Sequence, residues 1–211
     1  MPAFIPPPSF QIRHLAASAL CLALAACGGG GSDSNAPLAG GVSGAPSSVS
    51  GSSSATGAPG LLALDATTSC GLADFKNSLM QQINTARATA RTCGSTAMPA
   101  VAALTWNDRL FSAAARHSRD MATNNYFSHT GLDGSSPAQR LAAEGYAWSW
   151  AGENIAAGQP TVAAVMSGWL ASPGHCANIM RAEYQDVGVS CVQQSGTTYG
   201  RYWTMALARP Q

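Results

Sequence analysis

Charge is scarce in this sequence. Of 211 residues only 10% are Asp, Glu, Lys or Arg, against roughly 25% in an ordinary soluble domain. Lys76 is the sole lysine. With Lys+Arg 11 against Asp+Glu 10 there is no basic surplus to neutralise phosphates, which excludes a nucleic-acid partner held in the usual electrostatic way. An acidic or basic interaction tail is excluded on the same ground. No apolar run reaches the length of about 18 residues that a membrane-spanning helix needs. No Gly-rich phosphate loop follows a strand signal, so no nucleotide is expected. No Cys-x-x-Cys pair is present, which argues against a structural zinc site.

What is present begins with low complexity. The sequence holds 22 Gly and 12 Pro, and residues 28–68 contain two acids (Asp33, Asp65), no base and no aromatic. Ahead of this segment, Arg13 and His14 precede an apolar stretch from Leu15 to Ala25. A charged start and an apolar run of about ten residues make a secretory signal, too short to span a bilayer. The stretch ends Leu24-Ala25-Ala26-Cys27, which resembles the lipobox of bacterial lipoproteins. The resemblance implies removal of residues 1–26 and acylation of Cys27. Cys21 is the weaker alternative because bulky Leu20 precedes it. Each buried CH₂ contributes about 0.8 kcal/mol, so two or three acyl chains would hold the protein on a membrane. Gly28 after the cysteine points to the outer membrane. Residues 27–68 then form a disordered Gly/Ser/Ala-rich tether, too poor in apolar surface to offset its ordering entropy. Its mean reach is on the order of 35 Å.

Residues 69–211 are long enough to bury a core of their own. Leu72, Phe75, Leu79, Ile83, Ala86 and Ala90 recur at helical spacing. Asn107 is placed to cap a second helix striped by Leu110, Ala114, His117 and Met121. Pro137 opens a short third helix that Gly145 stops. Thr161 opens a fourth, with Val162, Val165, Met166 and Trp169 inward, ending at Ser172 because Pro173 disfavours helical geometry before it. Ala147–Ala156 has an extended pattern. Val187, Val189 and Cys191 alternate with small residues, as do Trp203, Met205 and Leu207, with hairpin residues Gln194–Thr197 between them. Helices first and a late hairpin indicate an α+β fold, not a doubly wound sheet. Four cysteines fall in this region. Export would oxidise them to two disulfides, and among the three possible pairings sequence proximity favours Cys70–Cys93 and Cys176–Cys191.

Several short motifs occur in order: Leu104-Thr105-Trp106-Asn107, Phe127-Ser128-His129-Thr130, Gly152-Glu153-Asn154-Ile155-Ala156, Trp169 through Pro173-Gly174-His175-Cys176 to Met180, and Asp186-Val187-Gly188-Val189. Together they resemble the CAP superfamily (cysteine-rich secretory, antigen 5 and pathogenesis-related 1 proteins; the SCP domain), in its bacterial branch, over about residues 72–208. The resemblance implies a three-layer α-β-α sandwich with a cleft lined by two histidines and two acids. Residue by residue, His129 matches the first histidine, Glu153 the acid of the Gly-Glu-Asn motif and His175 the second histidine. Ser172 stands where eukaryotic members carry the second acid.

Two neutral imidazoles and a carboxylate are one way to hold zinc with an open position, so His129, Glu153 and His175 are candidate ligands for a weakly bound Zn²⁺. Equally, Glu153 can serve only to orient a histidine ring. His117 reads as a core histidine with a backbone partner. Ser128 and Ser172 invite a serine-hydrolase reading, but neither lies in a Gly-x-Ser-x-Gly elbow. Three functions stay open: a membrane-tethered module binding a small apolar ligand (lipid or sterol-like) or an envelope protein through the His129/Glu153/Ser172/His175 cleft; a metal-assisted hydrolase; and a structural envelope protein with a vestigial pocket. Binding ranks first.

Overall fold

The computed structural model describes residues 60–211. The expected signal peptide, the acylated Cys27 and the tether up to residue 59 lie outside the described residues. Five helices and six strands follow: α1 (Phe75–Arg87), β1 (Arg91–Cys93), β2 (Thr96–Met98), β3 (Thr105–Trp106), α2 (Asp108–Asn124), α3 (Pro137–Ala143), β4 (Trp148–Ala157), α4 (Val162–Ala171), α5 (Pro173–Ile179), β5 (Asp186–Gln193) and β6 (Arg201–Pro210).

The helices begin where short polar side chains can satisfy free backbone N–H groups. The Asn107 side chain accepts from Arg109 N and Leu110 N at the start of α2, and Thr161 accepts from Ala164 N at the start of α4. Ser136 and Gln139 form a reciprocal capping box on α3, with Pro137 in the first turn. The stretch from Pro173 is the two-turn helix α5. A proline disfavours helical geometry only in the residue before it and suits the first helical position itself. Ser172 is accordingly extended, with ψ 123, and serves as both the end of α4 and the start of α5.

Four strands form one sheet in the order β3-β5-β6-β4, parallel between β3 and β5 and antiparallel elsewhere. Strand alternation sends residues to opposite faces. Val187, Val189, Cys191, Trp203, Met205 and Leu207 enter a core shared with Phe75, Leu79 and Ile83 of α1 and Val165, Met166 and Trp169 of α4. Ala206 and Ala208 pack on Leu110, Ala113 and Ala114 of α2 and Leu141 of α3. The result is an α-β-α sandwich of α+β class. Gly188 is required by close approach, since a Cβ there would collide with the backbone of Leu110 and Phe111.

Both expected disulfide pairings are incorrect. The bonds are Cys70–Cys191, with Cα atoms 5.2 Å apart, and Cys93–Cys176, at 5.4 Å. Proximity in sequence misled because topology decides. The segment before α1 lies beside β5, where Cys70 N donates to Cys191 O (2.9 Å) and Cys191 N to Thr68 O (2.9 Å). The β1–β2 hairpin packs its tip on α5, and Cys93, Cys176 and Met180 share one small cluster.

The domain also begins earlier than residue 69. Leu62 N donates to Ser112 Oγ (2.9 Å), Arg116 Nη2 donates to Gly60 O (2.9 Å), and the Asp65 carboxylate accepts from Thr67 N and Thr68 N. Residues 60–68, expected in the tether, are part of the domain's surface.

Candidate functional site

Strand β4 is the free edge of the sheet, and its motif residues face both ways. Glu153 and Ile155 point toward the α2–α3 side; Asn154 points toward α5, where its Nδ2 donates to His175 O (3.1 Å). Gly152 precedes them because a Cβ would strike the Tyr184 hydroxyl. Asn178 on α5 donates to Glu153 O (3.2 Å) and Asn154 Oδ1 (2.9 Å). These amides fasten α5 to the sheet edge and thereby fix His175.

The loop after α2 brings His129 to the same edge. Its Nδ1 donates to Glu153 Oε1 at 2.8 Å, leaving Nε2 as the free ring atom. His129 is half-exposed, its side chain 52% accessible, whereas Glu153 is 4% accessible. The other carboxylate oxygen accepts from Arg140 Nη2 at 2.7 Å. Arg140, on α3, also donates to His129 O (3.0 Å) and Ser135 O (2.8 Å). One guanidinium therefore orders the carboxylate and the histidine loop together. Arg140 lies in no motif; only an acid in need of a buried cation could have suggested it.

His175 carries no carboxylate partner. Burial, and then the charge of nearby His129, depress its pKa below the ordinary 6.5, so it is a neutral imidazole at neutral pH. His129 and Glu153 are thus in contact, and His175 lies within electrostatic range of His129.

The three-donor zinc set does not fit this geometry. Both oxygens of Glu153 are engaged, one by the His129 N–H and one by the Arg140 guanidinium, so the carboxylate orients the ring and its charge is already met by a cation. Among the described residues no group of three or more His, Cys, Asp or Glu side chains is arranged to hold an ion. Nor does a hydrolytic serine appear. Ser128 Oγ accepts from Thr130 N (3.0 Å), its carbonyl meets His117 Nε2 (2.9 Å), and Ser172 caps no helix N–H.

Beside His175 lies a cleft of about 320 Å³, lined by Phe127, Ile155, Val165, Trp169, Tyr199 and the polar Gln159, Ser172 and His175 among others. Phe127 and Tyr199 meet at a tilt of 57°, with centroids 5.7 Å apart, and are 42% and 46% exposed. They form an open aromatic rim over an apolar floor. Gln159 Oε1 is buried without a hydrogen-bond donor. Of the tryptophans, only Trp169 lines this cleft. Trp203 is core and stacks on Phe75, Trp148 Nε1 donates to Ala138 O, Trp150 lies under Arg181, and Tyr146 donates to Asp186.

Residues 80–207, more than half of the chain, match the model of the CAP family, described as the cysteine-rich secretory protein family. The uncharacterized protein YkwD of Bacillus subtilis is 35% identical over 98 residues, covering 46% of this chain and 36% of that protein. The uncharacterized membrane protein YlbC of the same organism is 37% identical over 89 residues, 42% of this chain and 26% of that one. The chain spans about a third or less of the length of these curated relatives. An extracellular protein containing an SCP domain from Bacillus anthracis superposes with a TM-score of 0.50 at 28% identity, covering 67% of this chain and 44% of that one.

Proposed function

Because the chain belongs to the CAP family, the cysteine-rich secretory protein family, we propose that it is an exported, membrane-tethered module that binds a small apolar ligand in the cleft beside His175. Export is supported by the two disulfides, which persist in oxidising compartments, and by likeness to an extracellular SCP-domain protein. Tethering rests on Leu24-Ala25-Ala26-Cys27 and the low-complexity segment after it, and Gly28 favours the outer membrane.

The observation that carries the binding role is the composition of the cleft. Aromatic and aliphatic walls meet a single buried acceptor, Gln159 Oε1, that lacks a donor. Ligand sites of this kind combine apolar walls with a few convergent polar groups. The complementary ligand is an apolar body with one hydroxyl or N–H head, such as a sterol or other lipid-like alcohol. His175, neutral and adjacent, supplies a second polar contact. The metal-assisted hydrolase reading with His129, Glu153 and His175 has no support of equal weight, because Glu153 is engaged by His129 and Arg140 and no three-donor group is formed among the described residues.

Fluorescence titration of the purified full chain with dehydroergosterol tests this reading. Saturable binding is expected, weakened by Phe127→Asp at the exposed rim with the fold intact by circular dichroism. Absence of saturation, or identical binding by Phe127→Asp, would remove the cleft as the site.

A further inference from the structure

A second cleft, of about 210 Å³, lies between α2 and α3 and is lined by Arg116, His117, Asp120, Asp133, Arg140 and Glu144 among others. It shares no lining residue with the cleft beside His175. Two of its side chains are almost completely buried, His117 and Glu144, each 1% exposed. Both carry a polar atom without a partner: His117 Nδ1 and Glu144 Oε2. Buried polar atoms in folded proteins are nearly always satisfied, so each such atom calls for an occupant.

The character of both atoms follows from their partners. His117 Nε2 meets the Ser128 carbonyl at 2.9 Å, and a carbonyl can only accept, so Nε2 carries the proton and Nδ1 presents a lone pair. Desolvation lowers the pKa of this ring, which keeps it neutral. Glu144 gives Oε1 to Arg116 Nε and leaves Oε2 open. The open atoms are therefore two acceptors. At the rim Asp133 is exposed, with Oδ1 accepting from Ser135 N (2.8 Å), and Asp120 accepts from Tyr126 and Asn124.

The cations present are already engaged. Arg116 holds Glu144 and the Gly60 carbonyl; Arg140 holds Glu153, Ser135 O and His129 O. Asp120 and Asp133 are thus left without a cationic partner beside the two open acceptors. A ligand that fits must donate hydrogen bonds, accept none and bring positive charge, requirements that a primary ammonium meets. A metal ion does not fit, since the acids and His117 form no three-donor group. Nor can the chain fill the site with its own lysine, because Lys76 Nζ lies over the Trp106 ring, 5.2 Å from its centroid. We propose that the α2–α3 cleft is a second binding site, for a small ligand bearing a primary ammonium group.

Calorimetric and NMR titration of the full chain with propylammonium chloride provides the test, with tetramethylammonium (no N–H) and propan-1-ol (no charge) as comparators. Saturable binding of propylammonium alone is expected. Glu144→Gln should weaken it about tenfold or more, the scale of a hydrogen bond to a charged group. Because Glu144 also meets Arg116, Asp133→Asn at the exposed rim provides the second variant, expected to weaken binding several-fold without changing thermal stability. Equal binding of tetramethylammonium or propan-1-ol would overturn the ammonium assignment. No saturation, a cleft filled by water only in crystals soaked with propylammonium, or unchanged affinity in both variants would overturn the site.

Discussion

Arg140 on α3 donates to Glu153 on β4 across 2.7 Å, and the two side chains are 10% and 4% exposed. This pair organises the histidine loop, because Arg140 also donates to His129 O. Glu153 in turn fixes the His129 ring through Nδ1.

Removing the guanidinium strands a buried carboxylate, a change that costs about 3 kcal/mol or more. Arg140→Met should lower stability by that order in urea denaturation. It should also broaden the His129 ring resonances, whose loop carbonyl loses the same donor. An Arg140→Met variant as stable as wild type would show that the pair holds nothing.

The disulfides close long loops, with partners 121 and 83 residues apart. In the chain-entropy model each contributes about 4 to 5 kcal/mol. Non-reducing peptide mapping should recover Cys70 with Cys191 and Cys93 with Cys176. The double substitution Cys93→Ser/Cys176→Ser should lower stability by that order. Peptides joining Cys70 to Cys93 would contradict the fold's topology.

His117 and His175 both have folded-state pKa values below the ordinary 6.5, chiefly through burial. The unfolded chain therefore binds more protons as pH falls below about 6.5. Stability from these rings is complete above that pH and is lost progressively as pH falls toward the depressed folded values. Thermal unfolding between pH 7.5 and 5 should show a falling Tm, and His117→Gln should flatten the curve. A Tm that rises on acidification would reverse the assignment.

Gly188 lies against the backbone of α2, where even a methyl group has no room. Gly188→Ala should destabilise by about 3 kcal/mol, the upper end of overpacking costs. Equilibrium unfolding measures this directly; a neutral substitution would mean that α2 and β5 are not packed as described.

The main helices and the three long strands were legible because the core lies on simple stripes. Phe75, Leu79 and Ile83 face one way on α1, and Val187, Val189 and Cys191 do so on β5. Capping residues such as Asn107 and Thr161 marked the starts. The β1–β2 hairpin was not legible, since strands of three residues carry too little alternation to register. The disulfides were misread because pairing depends on which segments the topology lays side by side. Of the four residues expected to line the cleft, Ser172 and His175 do so, whereas His129 and Glu153 pair with each other outside its lining. Arg140 and Gln159 were not legible, as their roles arise from burial and from which neighbours lack partners. Those are properties of packing, not of local pattern.

The proposed function requires an apolar molecule with a donor head in the cleft beside His175. The most direct measurement is mass spectrometry of organic extracts from the full chain purified out of cell envelopes, with Phe127→Asp and Gln159→Leu chains purified in parallel. A stoichiometric lipid-like alcohol or amide is expected on the wild-type chain, depleted from both variants. A wild-type chain that carries no such molecule, or variants that retain it in equal amount, would contradict the proposed function.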